Sequence, residues 1–147
     1  MSESIKRIKP DINLNLTEDE TTFLFRNLIR YEGGMENFKG CNFSNKRLQD
    51  FIKDKGIDLP HNTKKKKLNI SEYSKLNQIQ FISYGNVCYN LSKRLRDAFA
   101  HGLIEKDGNT GVIHFQDYHC GRFTADGRIE FSLLKELFEE ILRTKEQ

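Results

Sequence analysis

The chain has little cysteine, and its three residues of that type, Cys41, Cys88 and Cys120, are widely spaced. No pair has the short spacing of a zinc knuckle or a redox motif, so we expect three reduced thiols and no metal site. The sequence also lacks any apolar run near the roughly 20 residues that span a bilayer. Residues 1–15 contain no apolar stretch of the signal-peptide kind. We therefore expect a cytoplasmic protein with no membrane segment.

A strong charge of either sign is absent too. The 24 Lys and Arg stand against 21 Asp and Glu, which leaves a net charge of +3. This balance permits an anionic partner such as nucleic acid without requiring one. A chain of 147 residues, with 11 Phe and 5 Tyr, is expected to form one domain around one hydrophobic core rather than to be disordered. No motif for a cofactor is present.

The N-terminal part combines an arm with a helix signal. Residues 1–15 are polar, contain a proline and are predicted to form an arm or a short strand. Thr17 and Glu20 have the spacing of a capping box, in which the two side chains satisfy backbone donors at a helix start. Apolar residues at helical spacing follow as far as Gly33, so we predict a helix of about four turns.

A second, shorter helix is predicted from Ser44 to Gly56, where a left-handed glycine would end it. Four consecutive lysines, Lys64 to Lys67, follow this helix. A run of like charges is more often a solvated loop than a phosphate-binding patch, although the second interpretation stays open.

The segment from about Ser71 to His101 has a strongly amphipathic second half. Its apolar side comprises Tyr84, Val87, Cys88, Leu91, Leu95, Ala98 and Phe99. Its polar side comprises Ser83, Asn86, Asn90, Lys93, Arg94, Asp97 and His101. The spacing predicts a helix that packs its apolar side into the core and ends at Gly102. The polar stripe is then expected to face water, a partner chain or a ligand.

The hydrophobic period changes between residues 102 and 131. Short alternating runs flank Asp107-Gly108 and Asp126-Gly127, and each Asp-Gly pair is typical of a hairpin turn. A wide apolar stripe from about Ser132 onward predicts a last helix. These patterns together favour a mainly α-helical bundle of four or five helices, with a small β-hairpin elaboration before the last helix.

The end of the long helix carries a motif. Residues 96–102 read Arg-Asp-Ala-Phe-Ala-His-Gly, in which an Arg is followed by an Asp and, after three more residues, by a His. This pattern resembles the signature of the HEPN superfamily of small helical domains, whose motif is Arg, four to six residues, then His. The position of the motif at the end of a core helix, before a final amphipathic helix, is similar as well, and the resemblance covers roughly residues 70–145.

The resemblance implies a metal-independent endoribonuclease that acts as a homodimer, with the motifs of two chains meeting at a two-fold axis. Arg96 and His101 would be the catalytic pair, with Asp97 as a supporting polar residue. The setting would be a toxin, phage-defence or stress-response system, in which a cognate inhibitor protein is expected. Some members are silenced by modification of a Tyr two residues after the His, but Leu103 occupies that position here.

The same chemistry follows from the residue types. Cleavage of RNA without a metal needs a group that exchanges protons near neutral pH, which His101 can supply. It also needs a fixed positive charge that stabilises the phosphorane-like transition state, which Arg96 can supply. Lys93 and Arg94 lie on the same polar stripe and are predicted to hold the phosphate backbone. Five residues separate Arg96 from His101, about 140° around an ideal helix, so a distorted last turn, a long Arg reach or a second protomer must bring them together.

Two alternatives remain open. His101 could simply be a residue favoured at a helix C-terminus, with Arg96 and Asp97 as surface charges. The chain could be a catalytically silent HEPN module that binds RNA, a nucleotide or a protein partner. His114, His119 and Cys120 have no recognised ligand spacing, so structural or surface roles are expected for them.

Overall fold

The computed structural model describes residues 5–9, 16–24, 26, 38–62 and 70–146. Helices and strands are interspersed along this part of the chain. The described elements are α1 (Glu18–Leu24), α2 (Lys46–Asp54), β1 (His61–Asn62), β2 (Gln78–Ile82), α3 (Val87–Ala100), β3 (Ile104–Lys106), β4 (Val112–His119), β5 (Arg122–Glu130), α4 (Phe131–Arg143) and a short 3₁₀ turn (Thr144–Glu146).

The strands form one five-stranded sheet in the order β1-β2-β5-β4-β3. β1 runs parallel to β2, and all other neighbours are antiparallel. The protein is therefore mixed α/β, and the predicted mainly helical bundle is wrong. The sequence pattern missed β2 altogether, because Gln78–Ile82 lies within the segment whose helical second half dominated the interpretation.

One of the two predicted Asp-Gly turns is present in the structure and the other is not. Asp107-Gly108 lies in the β3–β4 turn as predicted, where the Asn109 backbone N–H donates to Asp107 Oδ1 at 2.8 Å. Asp126-Gly127 is not a turn but the middle of β5, so that prediction is wrong. A Cβ on Gly127 would lie 2.6 Å from the Phe115 ring, which shows that glycine is needed for close packing across the strands. The chain turns instead at Cys120, where φ is +51°.

The sheet has one apolar and one polar face. The apolar face and the inner sides of α3 and α4 form a single core, which includes Ile79, Phe81, Leu91, Leu95, Ile113, Phe115, Ile129, Leu134, Leu137 and Phe138. Side chains alternate between faces along a strand, so the intervening residues lie on the other side of the sheet. This second face carries Gln80, His114, Gln116, Asp126 and Arg128.

Most helix predictions agree with the structure. The capping box is confirmed: Glu20 N–H donates to Thr17 Oγ1 at 3.1 Å, and Thr17 N–H donates to Glu20 Oε1 at 2.8 Å. Helix α2 begins at Lys46 behind an Asn45 cap, two residues later than predicted. The predicted helix beyond Leu24, except for residue 26, and the Lys64–Lys67 run lie outside the described residues.

None of the described helices is both long enough and apolar enough to cross a membrane. Cys41, Cys88 and Cys120, all of them described, form no disulfide bond. Burial raises the pKa of Cys88 to about 12, so this thiol stays protonated and unreactive at neutral pH.

Candidate functional site

The C-terminal end of α3 has the geometry of a regular helix stop. His101 is the cap residue, and Gly102 follows with a φ of +72°. The Leu103 N–H donates to the Ala98 carbonyl at 2.8 Å, and the Gly102 N–H donates to the Phe99 carbonyl at 3.3 Å. These two bonds are the pattern that ends a helix at a left-handed glycine. The imidazole of His101 is therefore carried at a well-defined helix end, and the side chain is exposed.

Arg96 and His101 do not contact each other within the described part of the chain. The Arg96 guanidinium pairs instead with the neighbouring carboxylate, with Nε 3.2 Å from Asp97 Oδ1. The last turn of α3 keeps its regular hydrogen bonds, so no distortion brings Arg96 round toward His101. Of the three explanations for the five-residue spacing, the distorted turn is wrong.

Asp97 was expected to orient His101. Its backbone carbonyl accepts the His101 N–H at 3.0 Å, but its carboxylate pairs with Arg96. Burial raises the pKa of Asp97, and the nearby charge of Asp117 raises it further, against the opposing effects of Arg96, Lys93 and Arg94. The structure thus assigns the Asp97 side chain to Arg96 rather than to the imidazole.

A groove opens beside His101. It is lined by Arg7, Ile8, Lys9, His101, Leu103 and Tyr118. The Arg7 guanidinium lies 4.7 Å from the centroid of the Tyr118 ring, in a cation–π arrangement. An exposed imidazole, two cationic side chains and an aromatic ring therefore line the same groove, which suits an anion that carries a flat ring system.

The N-terminal arm contributes half of this groove, which the sequence interpretation missed. Gln116 holds the arm on the polar face of the sheet: its Oε1 accepts the Ile8 N–H at 2.7 Å, and its Nε2 donates to the Lys6 carbonyl at 3.0 Å. Ile5 and Ile8 are buried while the basic residues between and after them are exposed. The only signal in the sequence was this alternation of isoleucine with lysine and arginine.

The predicted polar stripe of α3 does not face outward along its whole length. Asn90 is 5% exposed and Arg94 is 6% exposed. Arg94 Nη1 lies 3.1 Å from Asp117 Oδ2, and its Nε donates to the Ile82 carbonyl at 3.1 Å. Arg94 is therefore unavailable to hold a phosphate, contrary to the prediction, because its charge is already paired inside the protein. Lys93 is half-buried and stays a predicted phosphate contact.

A buried polar cluster lies on the polar face of the sheet, opposite the face that packs against α3 and α4. His114 Nε2 lies 2.8 Å from Asp126 Oδ2, and the side chains are 9% and 0% exposed. The Asp126 carboxylate also accepts from the Ser74 N–H at 2.7 Å and from Gln116 Nε2 at 3.0 Å. His114 was expected to have a structural or surface role. The sequence did not reveal the cluster, because its members come from three separate segments: the one that contains Ser74, strand β4 and strand β5.

The surroundings of Asp126 predict a pH-dependent stability. Burial alone would raise the pKa of Asp126, but the hydrogen bond and charge of His114, with the bonds from Ser74 and Gln116, outweigh it and lower the pKa. A carboxyl group with a lowered pKa stabilises the fold above its unfolded-state pKa of about 3.9, and this stabilisation is lost as the pH falls below that value.

We expect Asp126→Asn to lower the free energy of unfolding by about 2–3 kcal/mol at pH 7, because a buried hydrogen-bonded charge is removed. The difference from the wild type should shrink as the pH falls below about 4, because the unfolded chain then binds the proton more readily than the folded wild type does. Urea unfolding at a series of pH values measures this, with Asp50→Asn on the exposed side of α2 as the control. An equal loss at pH 3 and pH 7 would contradict the assignment.

Within the described residues, no cluster of three or more potential metal ligands occurs. Comparison with known proteins gave no match to any family model, curated protein or solved structure. The resemblance to the HEPN superfamily thus depends on the Arg96–His101 motif and its position at the end of α3, without the helical bundle that it implied.

Proposed function

We propose that this protein is a metal-independent endoribonuclease that acts as a homodimer in the cytoplasm. The observation that carries the proposal is the groove at the end of α3, where the exposed His101 lies together with Arg7, Lys9 and the Tyr118 ring. RNA offers the matching chemistry, since its phosphates suit the cations and its bases suit the aromatic ring.

In the proposed reaction, His101 takes the proton from a ribose 2′-hydroxyl. The 2′-oxygen then attacks the adjacent phosphorus, and the bond to the 5′-oxygen breaks as that oxygen takes a proton from water, while His101 returns its own proton to the solvent. Arg96 and the two cations of the arm stabilise the added negative charge on the phosphoryl oxygens. The products are a 2′,3′-cyclic phosphate and a 5′-hydroxyl, and no metal ion takes part.

The homodimer is proposed because a single chain keeps Arg96 away from His101. Arg96 is 40% exposed and, among the described residues, pairs with the neighbouring Asp97, so the rest of its guanidinium is accessible to a second copy. A two-fold axis beside the ends of α3 would place the Arg96 of one protomer near the His101 of the other. In a toxin, phage-defence or stress-response setting, an inhibitor protein that covers this groove would keep the enzyme silent.

The test is cleavage of a 5′-labelled single-stranded RNA by the full-length protein in excess chelator. We expect cleavage that is unaffected by the chelator and product ends that carry a 2′,3′-cyclic phosphate. A DNA of the same sequence should stay intact, and a single 2′-deoxy substitution should block cleavage at that position only, because the attacking hydroxyl is missing.

Loss of activity in chelator or a 3′-hydroxyl product would refute the mechanism. If the folded wild-type protein cleaves no RNA but binds it in the groove, the alternative function, a silent RNA-binding module, is supported instead. The Arg96–Asp97 ion pair favours that alternative, because it occupies the guanidinium within the single chain.

A further inference from the structure

A row of charged side chains crosses the polar face of the sheet. Glu105 on β3 pairs directly with His114 on β4, which in turn pairs directly with Arg128 on β5. Directly opposed residues on neighbouring antiparallel strands have Cβ atoms about 5 Å apart and point to the same side. An acid, an imidazole and a guanidinium are thereby fixed next to each other by the strand register, independently of the groove at His101.

The two contacts of the His114 ring differ in permanence. The Nε2 atom lies 2.8 Å from Asp126, whose side chain is fully buried and held by other donors. The Nδ1 atom lies 3.3 Å from Glu105 Oε1, and the Glu105 side chain is 61% exposed. A long contact to an exposed side chain contributes little and is readily exchanged. Asp126 is therefore the permanent partner of the ring, and Glu105 is replaceable.

Both ring nitrogens of His114 face carboxylate oxygens. An ionised carboxylate can only accept hydrogen bonds, so the ring donates from both nitrogens in its protonated form. Asp126 fixes the ring orientation through Nε2, as buried carboxylates do for histidines whose other ring nitrogen binds a ligand. In the protonated ring, the Nδ1–H points toward the Glu105 carboxylate. Another anion could take the place of that carboxylate.

The surroundings of that position are positively charged. A groove of about 520 Å³ reaches Glu105, His114 and Arg128 and is also lined by Lys6, Arg7, Ile8, Lys9 and Tyr73. Four basic side chains face one acidic side chain there. The Tyr73 ring stands edge-on against the His114 ring at 5.6 Å between centroids and is 45% exposed. Among the described residues, Arg128 has no ion-pair partner, so its planar donor group is available to the groove.

We propose that the Glu105–His114–Arg128 row is a binding site for a phosphate group, and that the Glu105 carboxylate fills it when no ligand is bound. The incoming phosphate displaces Glu105, accepts the Nδ1–H of His114 and pairs with the guanidinium of Arg128, whose two parallel donors match phosphate geometry. Lys6 and Lys9 add charge at the rim. The inference does not depend on ribonuclease activity, because Glu105, His114 and Arg128 do not line the groove at His101, although the two grooves share the arm residues Arg7, Ile8 and Lys9.

The experiment titrates the full-length protein with inorganic phosphate and, separately, with a nucleoside 5′-monophosphate. Binding is followed by the imidazole nitrogen and proton resonances of His114 and by calorimetry. We expect saturable binding with a shift at His114 Nδ1. A nucleotide that binds more tightly than free phosphate would identify a nucleotide or nucleic-acid end as the source, and equal affinities would identify free phosphate.

Three variants make the test specific. Arg128→Gln should weaken phosphate binding about tenfold, the usual effect of one charged hydrogen bond. Glu105→Gln should strengthen it about fivefold, because the competing carboxylate is removed. Lys135→Ala, an exposed cation on α4 away from the row, should leave the affinity unchanged. Thermal unfolding of each variant checks that the fold is intact.

The opposite responses of Arg128→Gln and Glu105→Gln are the decisive feature, since general damage to the fold would weaken binding in both. No saturable binding to the wild type and to Glu105→Gln would overturn the proposal. Binding that is insensitive to both substitutions would place the phosphate elsewhere and would overturn it equally. Ribonuclease activity is measured in parallel, and its presence or absence leaves this result unaffected.

Discussion

Replacing His101 with Ala is expected to lower the rate of RNA cleavage at least about a hundredfold, because one general acid–base contribution is lost. Arg96→Ala should have an effect of similar size, since it removes a fixed charge from the transition state. Both side chains lie outside the core, so neither substitution should unfold the protein. Cleavage rates under single-turnover conditions, with circular dichroism as a check on folding, measure this.

His119→Ala is the matched control, because His119 is an exposed histidine at the end of β4 that does not line the His101 groove. Its cleavage rate should equal that of the wild type. Asp97→Ala should cost less than Arg96→Ala, since the carboxylate contacts Arg96 and not the imidazole. Full activity in His101→Ala would remove the basis of the proposed mechanism.

Mixing the two inactive variants tests the dimer. If Arg96 and His101 act across a two-fold axis, a heterodimer of Arg96→Ala and His101→Ala subunits contains one site with both residues intact. After free exchange of subunits, about a quarter of the sites are complete, so about a quarter of the wild-type activity should return. If the pair acts within one chain, no mixture regains activity.

The sequence predicted the helices well because their signals are local. The capping box at Thr17 and the glycine after His101 each act within one helical turn, and both are present in the structure as expected. Strand β2 was missed although Gln78 to Phe81 alternates polar with apolar residues, because the run is only five residues long and lies beside a stronger helical pattern. Its place in the sheet depends on pairing with β5, nearly 50 positions further along the chain.

Asp126-Gly127 shows how a local signal can be overruled. The pair has strong turn propensity, but each residue has a distant partner that requires an extended strand. The carboxylate completes the hydrogen bonds of Ser74, His114 and Gln116. The glycine makes room for the Phe115 ring. No local sequence pattern around Asp126 reveals these contacts.

Some residues of the candidate site could be predicted from local sequence signals, and others could not. His101 and Arg96 were predictable because a short motif marks them, and their position at the end of α3 follows from the helix itself. The cations of the arm were not predictable, since they reach the groove only through Gln116 on a strand about 110 residues away. The helical wheel misplaced Arg94 because it treats every polar residue as outward-facing, whereas a charge can be buried when its partner is buried too.

Removing the charge of Arg94 is expected to have the largest effect on stability. The side chains of Arg94 and Asp117 are 7% and 3% exposed, and Thr124 Oγ1 donates to the same Asp117 oxygen at 2.9 Å. Arg94→Met keeps much of the packing volume but leaves a buried carboxylate without its cation. Breaking a buried pair from one side costs about 3–5 kcal/mol. Urea unfolding at pH 7 measures the loss.

A double-mutant cycle with Asp117→Leu separates the pair from the packing. Arg94→Met with Asp117→Leu should recover much of the stability lost in Arg94→Met, because no unpaired charge remains. Arg47→Met breaks the surface pair with Glu140, in which the arginine is 62% exposed, and should cost less than about 1 kcal/mol. A loss in Arg94→Met no larger than that in Arg47→Met would contradict the buried pair.

The same variant distinguishes the sequence interpretation of Arg94 from the structural one. If Arg94 held the phosphate backbone, Arg94→Met would flatten the salt dependence of RNA binding, because one fewer counterion would be released. Since its guanidinium is occupied by Asp117 and the Ile82 carbonyl, we expect the salt dependence to stay unchanged at temperatures where the variant is folded. Lys9→Ala, which removes an exposed cation, and Lys93→Ala, which removes a half-buried one, should each flatten the salt dependence.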